Sequence, residues 1–430
     1  MAGLTQLRRT NTAGLPDDFP MPKARYGVGA SWDVPPMGKR IDIDLQCVVV
    51  DAAGAIIDCA YYNNLKAVRS ITHSGDETTG ERSGIDEMVW VNCNKVPKQV
   101  ALLVFVLAAY RGGTLNDVCN GKLHVFEETE RTKIAVWDFE HSDGCVDVVA
   151  AMFRTPSGEW ALRIIDVPAQ EGHHFMDILA TLAEVIRAFI PHAPARQKVA
   201  FAMEKGGIMD LPQSLDAITV GLGWDTDCGE IDLDVSAVLL DASGGMVTTV
   251  FFGNLESIEH GIVHSGDNVT GEGDGDDEQI QVRLGSIGAA VAQVVFVINT
   301  YSPGVDFSKV ARPYCRVVDH ASSAELCRYS LHDAGSQTAL IVAKIAREAG
   351  GRWGFHALGL PCTGRTWKDS LPTIQSLCQH DTRLLLARGG TADMTAFAAA
   401  PSAPPQTSTM SHGSAMSQGC GPGKQSCAIS

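Results

Sequence analysis

The chain has 430 residues, 45% of them hydrophobic, and a formal net charge of −16. That length suits two or three globular domains, each with its own core. The negative balance argues against nucleic acid and anionic lipid surfaces, whose phosphates would repel it, and favours divalent cations or basic partners.

No apolar h-region follows the N-terminus, and no uncharged apolar run is long enough to span a membrane. Ala2 stands where N-myristoylation needs glycine. A cytoplasmic location is therefore expected. The twelve cysteines form no Cys-x2-Cys pair, which argues against zinc. Several, such as Cys47 before Val48-Val49-Val50, sit in apolar strand patterns and read as reduced, buried thiols.

The first clear element alternates Ile41, Ile43 and Leu45 with Asp42, Asp44 and Gln46. It continues as an apolar run and breaks at Asp51-Ala52-Ala53-Gly54, a strand and turn leading to another strand. Ala101 to Leu107 is nearly all apolar, as expected of a central sandwich strand. Ile178, Leu182, Val185, Ile186 and Phe189 share one face at helical spacing and predict a core-packed helix. Residues from about Pro191 to Ala202 read as a linker.

The pattern then begins again. Ile231, Leu233 and Val235 alternate with Asp232, Asp234 and Ser236, and the run ends at Asp241-Ala242-Ser243-Gly244-Gly245. Tyr61-Tyr62-Asn63-Asn64-Leu65 returns as Phe251-Phe252-Gly253-Asn254-Leu255, and His73-Ser74-Gly75-Asp76 as His264-Ser265-Gly266-Asp267. Phe105-Val106 returns as Phe296-Val297, and Gly158-Glu159-Trp160 as Gly351-Arg352-Trp353. A repeat of this length is a duplicated domain. The expected fold is mainly β: two tandem β-sandwich domains with peripheral helices, over 20–190 and 203–379. Residues 380–430, poor in large apolar side chains from Gly389 onward, are expected to be disordered.

The sharpest chemical feature is the loop Gly266-Asp267-Asn268-Val269-Thr270-Gly271-Glu272-Gly273-Asp274-Gly275-Asp276-Asp277-Glu278. Its crowded carboxylates repel one another, and a hard cation such as Ca²⁺, which takes six to eight oxygen ligands, would relieve them. The glycines let the backbone turn tightly. Val269 and Gly271 stand where an EF-hand needs oxygen side chains, so this is not an EF-hand. Read alone, the loop is equally consistent with a solvated turn.

Gly221-Leu222-Gly223-Trp224-Asp225, then Asp232-Leu233-Asp234, then Gly275-Asp276-Asp277-Glu278 resemble the signature of the tellurium-resistance TerD family. The likeness runs from about Lys205 to Leu377. It implies a β-sandwich with peripheral helices and a Ca²⁺ site in the acidic loop. By that likeness the ligand set is Asp232, Asp234, Asp267, Asn268, Glu272, Asp274, Asp276, Asp277 and Glu278.

The first copy departs from the pattern. Arg82 replaces Gly273, Ser83 replaces Asp274 and Ile85 replaces Asp276, whereas Asp42, Asp44, Asp76, Glu81, Asp86 and Glu87 survive. A degenerate first domain with at most a weakened metal site is expected. His73 and His264 read as hydrogen-bonded sandwich histidines. Trp32, Trp160, Trp224 and Trp353 read as core anchors.

The last residues, Cys427-Ala428-Ile429-Ser430, fit a prenylation box, with Cys420 a candidate for palmitoylation. Together they would give a lipidated protein at the cytosolic face of a membrane. No nucleophile elbow, P-loop, metalloprotease helix or dinucleotide fingerprint occurs, so no enzyme is expected. The expected function is a non-enzymatic Ca²⁺-binding module in stress response or signalling. Some eukaryotic relatives of the family are described as cyclic-AMP-binding proteins. A cyclic-nucleotide-binding protein is therefore one alternative, and an interaction scaffold with structural loops is another.

Overall fold

In the computed structural model the described residues are 4–10, 13–34, 40–139, 144–169, 172–195, 197, 199, 201–203, 205–226, 231–268, 275–331, 335–348 and 351–379. Glu272, Asp274, Cys420, Cys427 and the expected disordered tail lie outside them. Each half of the chain forms two facing sheets, as the duplicated period-two patterns require.

In the first half a seven-stranded sheet has the order Thr5–Gln6, Lys133–Asp138, Cys119–Glu127, Arg25–Asp33, Glu87–Asn92, Ile71–His73, Lys66–Ala67. The six-stranded sheet has the order Asp18–Met21, Trp160–Ala169, Val146–Arg154, Val100–Arg111, Asp42–Asp51, Ile56–Ala60. The second half repeats both sheets strand for strand. Its seven strands run Phe201–Met203, Glu325–Ser330, Val310–Asp319, Ala217–Thr226, Glu278–Arg283, Ile262–His264, Glu256–Ser257. Its six run Ile208–Asp210, Trp353–Cys362, Ala339–Arg347, Gln293–Thr300, Leu233–Leu240, Met246–Val250.

Val100–Arg111 and Gln293–Thr300 lie inside their sheets, which is why they are apolar on both faces. Trp32, Trp160, Trp224 and Trp353 are buried, and the indole N–H groups of Trp32 and Trp224 donate to the carbonyls of Ile41 and Ile231. The helix expected around Ile178–Phe189 is Leu179–Phe189, entered through a 3-10 turn at Phe175–Ile178. A counterpart, Trp367–Gln379, carries Pro372 and gave no such signal in the sequence.

The segment read as a linker does more than connect. Val199 bridges Ile56 in parallel, Gln197 Nε2 donates to the Gly54 carbonyl, and the strand Phe201–Met203 begins within it. Beyond it the second half is bound tightly to the first. Tyr62 Oη and Asn63 Nδ2 donate to the buried Asp210 carboxylate at 3.0 Å each. Tyr61 Oη donates to the Ile208 carbonyl and accepts from the Asp210 amide. Arg352 grips Asp177 with two hydrogen bonds, of 2.6 and 3.0 Å, both side chains being buried. One apolar cluster runs through both halves across this junction.

Candidate metal centres

Side chains two apart on a strand face the same way. Asp42 and Asp44 therefore share a face where their strand enters the six-stranded sheet, and Asp232 and Asp234 do the same in the second half. The loop after Ile71–His73 brings in Asp76, and the loop after Ile262–His264 brings in Asp267. In each half the three carboxylates offer one oxygen apiece, all within 4.8 Å of one another. The innermost, Asp44 and Asp234, are buried; Asp42 and Asp232 are half-buried; Asp76 and Asp267 are exposed. The clusters are thus walled by protein on one side and open to solvent on the other.

Buried polar atoms are normally satisfied. Here Asp42 Oδ1, Asp44 Oδ2, Asp232 Oδ1 and Asp234 Oδ2 are buried without a hydrogen-bond partner. Burial, followed by neighbouring carboxylates, pushes Asp234 up to about 7. Burial and then Asp76 push Asp42 up to about 6. Asp44 is held well above the usual carboxylate range by burial and by Glu87, and Asp232 is raised by burial and Asp267. Hard oxygens, unpaired and repelling one another, are a donor set that fits Ca²⁺.

The other residues expected as ligands have different engagements. Glu278 is buried; its Oε2 accepts from the Val235 amide at 2.7 Å and its Oε1 from the Asn268 amide at 3.2 Å. Glu87 makes the same pair of bonds, to the amides of Leu45 and Glu77, at the same distances. Each glutamate pins its acidic loop to the strand that carries the Asp-x-Asp pair. Asp277 and Asp86 accept from the Trp224 and Trp32 amides, and Asn268 Nδ2 donates to the Asp277 carboxylate. Burial raises Asp86 to about 6. Asp276 accepts from Arg316 Nε at 2.7 Å and from Tyr314 Oη at 3.0 Å. Glu81 pairs with Arg40 near the surface.

His73 and His264 back the loops from below, as neutral hydrogen-bonding groups. Their Nδ1 atoms accept from the amides of Gly75 and Gly266, so Nε2 carries the proton and donates to the carbonyls of Leu45 and Val235. Burial lowers His73 to about 4. Arg82 Nη1 reaches the Asp86 carbonyl. Sequence reasoning missed the pinning role of the two glutamates. One of the two backbone partners of each glutamate comes from a strand more than forty residues away in the chain, and no local pattern signals it.

The family model for the TerD domain matches this chain twice, over residues 5–180 and 199–366. Tellurium resistance protein TerZ of Serratia marcescens is 41% identical over 175 residues, covering 38% of this chain and 89% of its own. Tellurium resistance protein TerD of an Alcaligenes species is 36% identical over 179 residues, covering 39% and 93%. General stress protein 16U of Bacillus subtilis is 37% identical over 175 residues, covering 37% and 90%.

Proposed function

The chain belongs to the TerD family, and we propose that it is a non-enzymatic Ca²⁺-binding member with one cation centre in each half, acting in stress response or signalling. The observation that carries this reading is the repeated trio of carboxylates, two members of each having a buried oxygen without a hydrogen-bond partner. The tellurium-resistance and stress-protein names of its relatives support the physiological part. Asp42, Asp44 and Asp76 would hold one ion, and Asp232, Asp234 and Asp267 the other. In the second centre Glu272 and Asp274 of the same loop are further candidates. The first loop has Glu81 and Ser83 at those places, with Arg82 between them.

Calorimetric titration of the full chain with Ca²⁺, and then with cyclic AMP, tests the reading. Two Ca²⁺ sites are expected, the first-half site at least about tenfold weaker, which corresponds to about 1.4 kcal/mol. Asp44→Asn should remove the weaker and Asp234→Asn the tighter. A chain that takes up no Ca²⁺ sinks the proposal. Heat from cyclic AMP alone would move the assignment to nucleotide binding, and silence in both arms would leave a scaffold.

A further inference from the structure

The junction between the halves has two sides. The receiving side is the edge strand Ile56–Ala60 with the Tyr61–Asn64 turn, and the incoming side is the leading segment of the second half, with Val199, Ile208 and Asp210. Because the halves repeat, each side exists a second time in the chain. The register that pairs Val50 with Ile56 pairs Leu240 with Met246, so Met246 is the counterpart of Ile56. Ile56 is fully buried under the incoming segment, whereas Met246 is 45% exposed. Tyr62 packs on Tyr110 with ring centroids 5.8 Å apart; Phe252 packs on Tyr301 at 5.9 Å, with both rings substantially exposed. At the other end of the chain, Leu4 and Leu15 flank the first half's own leading strands and are 52% and 62% exposed. Leu4 and Leu15 on one surface, and Met246, Phe252 and Tyr301 on the other, are five of the ten exposed large apolar side chains among the described residues.

The two exposed surfaces also differ from the closed junction in composition. Where the closed junction sets Tyr61, Tyr62 and Asn63 against Asp210, the exposed receiving side has Phe251, Phe252 and Gly253. By the pairing of leading strand with its neighbour, the exposed counterpart of Asp210 is Pro20. The polar Tyr62–Asn63–Asp210 contact thus has apolar or small residues at its counterparts, whereas Ile208 and Phe201 of the incoming side become Asp18 and Thr5. The charges around it differ as well. Arg352 of the incoming side becomes Glu159, while His173 and Met176, beside Asp177 on the receiving side, become Arg365 and Lys368 beside Asp369.

We propose that a second copy of this chain docks head to tail, seating the leading face of its first half on the Phe252 face of the second half. The internal junction shows how such surfaces meet, and exposed apolar patches of this kind mark interaction sites. A head-to-tail contact leaves a free face at each end, so assembly continues beyond the dimer unless the ring closes.

Sedimentation of the 430-residue chain over a concentration series tests this, alongside Phe252→Glu and Leu15→Glu. Both positions are exposed, so both variants should fold, which circular dichroism verifies. Wild type should grow past the dimer with concentration, and each variant should associate at least about tenfold more weakly. Mixing the two variants should restore a dimer and nothing larger, because each supplies the one intact face that the other lacks. A wild type that stays monomeric throughout overturns the proposal, and means that another segment or a different partner covers the Phe252 face. A mixture that fails to pair also overturns it, since two identical faces would then be meeting. So does a Phe252→Glu protein that assembles like wild type.

Discussion

Replacing Arg352 by methionine is expected to cost about 3–5 kcal/mol, because it leaves the buried Asp177 carboxylate without its cation. Arg352 sits on the second half and Asp177 at the 3-10 turn before the first half's helix, so this pair crosses the junction. Burial alone would raise Asp177, but the hydrogen bonds and charge of Arg352 outweigh it, aided by the His173 and Gln213 amides, and hold it at about 2. A carboxylate depressed by folding adds stability that is fully present above the unfolded value, near pH 4, and is lost as pH falls through the folded value. The gap between wild type and Arg352→Met, read as urea midpoints, should therefore be full at pH 7 and shrink towards pH 2. The double variant Asp177→Asn with Arg352→Met should recover part of the loss, since the Asp177 charge is then removed together with its partner. An Arg352→Met protein within about 1 kcal/mol of wild type at pH 7 would show that water reaches Asp177 and that the pair is a surface contact.

The same residues show what the sequence could and could not disclose. Duplication, strand alternation and the four tryptophans were legible because each rests on a local period or on a repeat seen twice. The Asp-x-Asp pairs were legible for the same reason. The junction was not, because Asp210, Arg352 and Asn63 have no equivalents in the other copy: Pro20, Glu159 and Gly253 stand there. Their signal was the mismatch between copies, which looks like noise until the halves are seen to touch. Within the acidic loop the engagements were hidden: Asp276 accepts from Arg316, and Asp277 and Glu278 accept from backbone amides. Composition reveals how many carboxylates are near, and only the register of distant strands reveals which are already engaged. The same geometry gives the first half three facing carboxylates despite its altered loop.

Those facing carboxylates set opposite expectations for the protein with and without Ca²⁺. Without it, ionised groups within 4.8 Å of one another repel, and two in each half are buried or half-buried. Asp44→Asn combined with Asp234→Asn removes one charge from each cluster at nearly constant volume. In chelator the double variant should melt above wild type. With Ca²⁺ in hundredfold excess over Kd, wild type should gain about 2.7 kcal/mol per site, and the order should reverse. Acidity should mimic the substitution. Asp42 and Asp234, raised to about 6 and about 7, bind protons in the folded chain at pH values where the unfolded chain has released them. Chelated wild type should therefore lose stability as pH rises from about 5 to 8, and Ca²⁺, which favours the ionised form, should cancel that loss. Melts in chelator and in Ca²⁺ at three pH values separate this from a merely structural loop. If the double variant is the less stable protein in chelator, the carboxylates are already satisfied within the fold and no cation is needed to reconcile them.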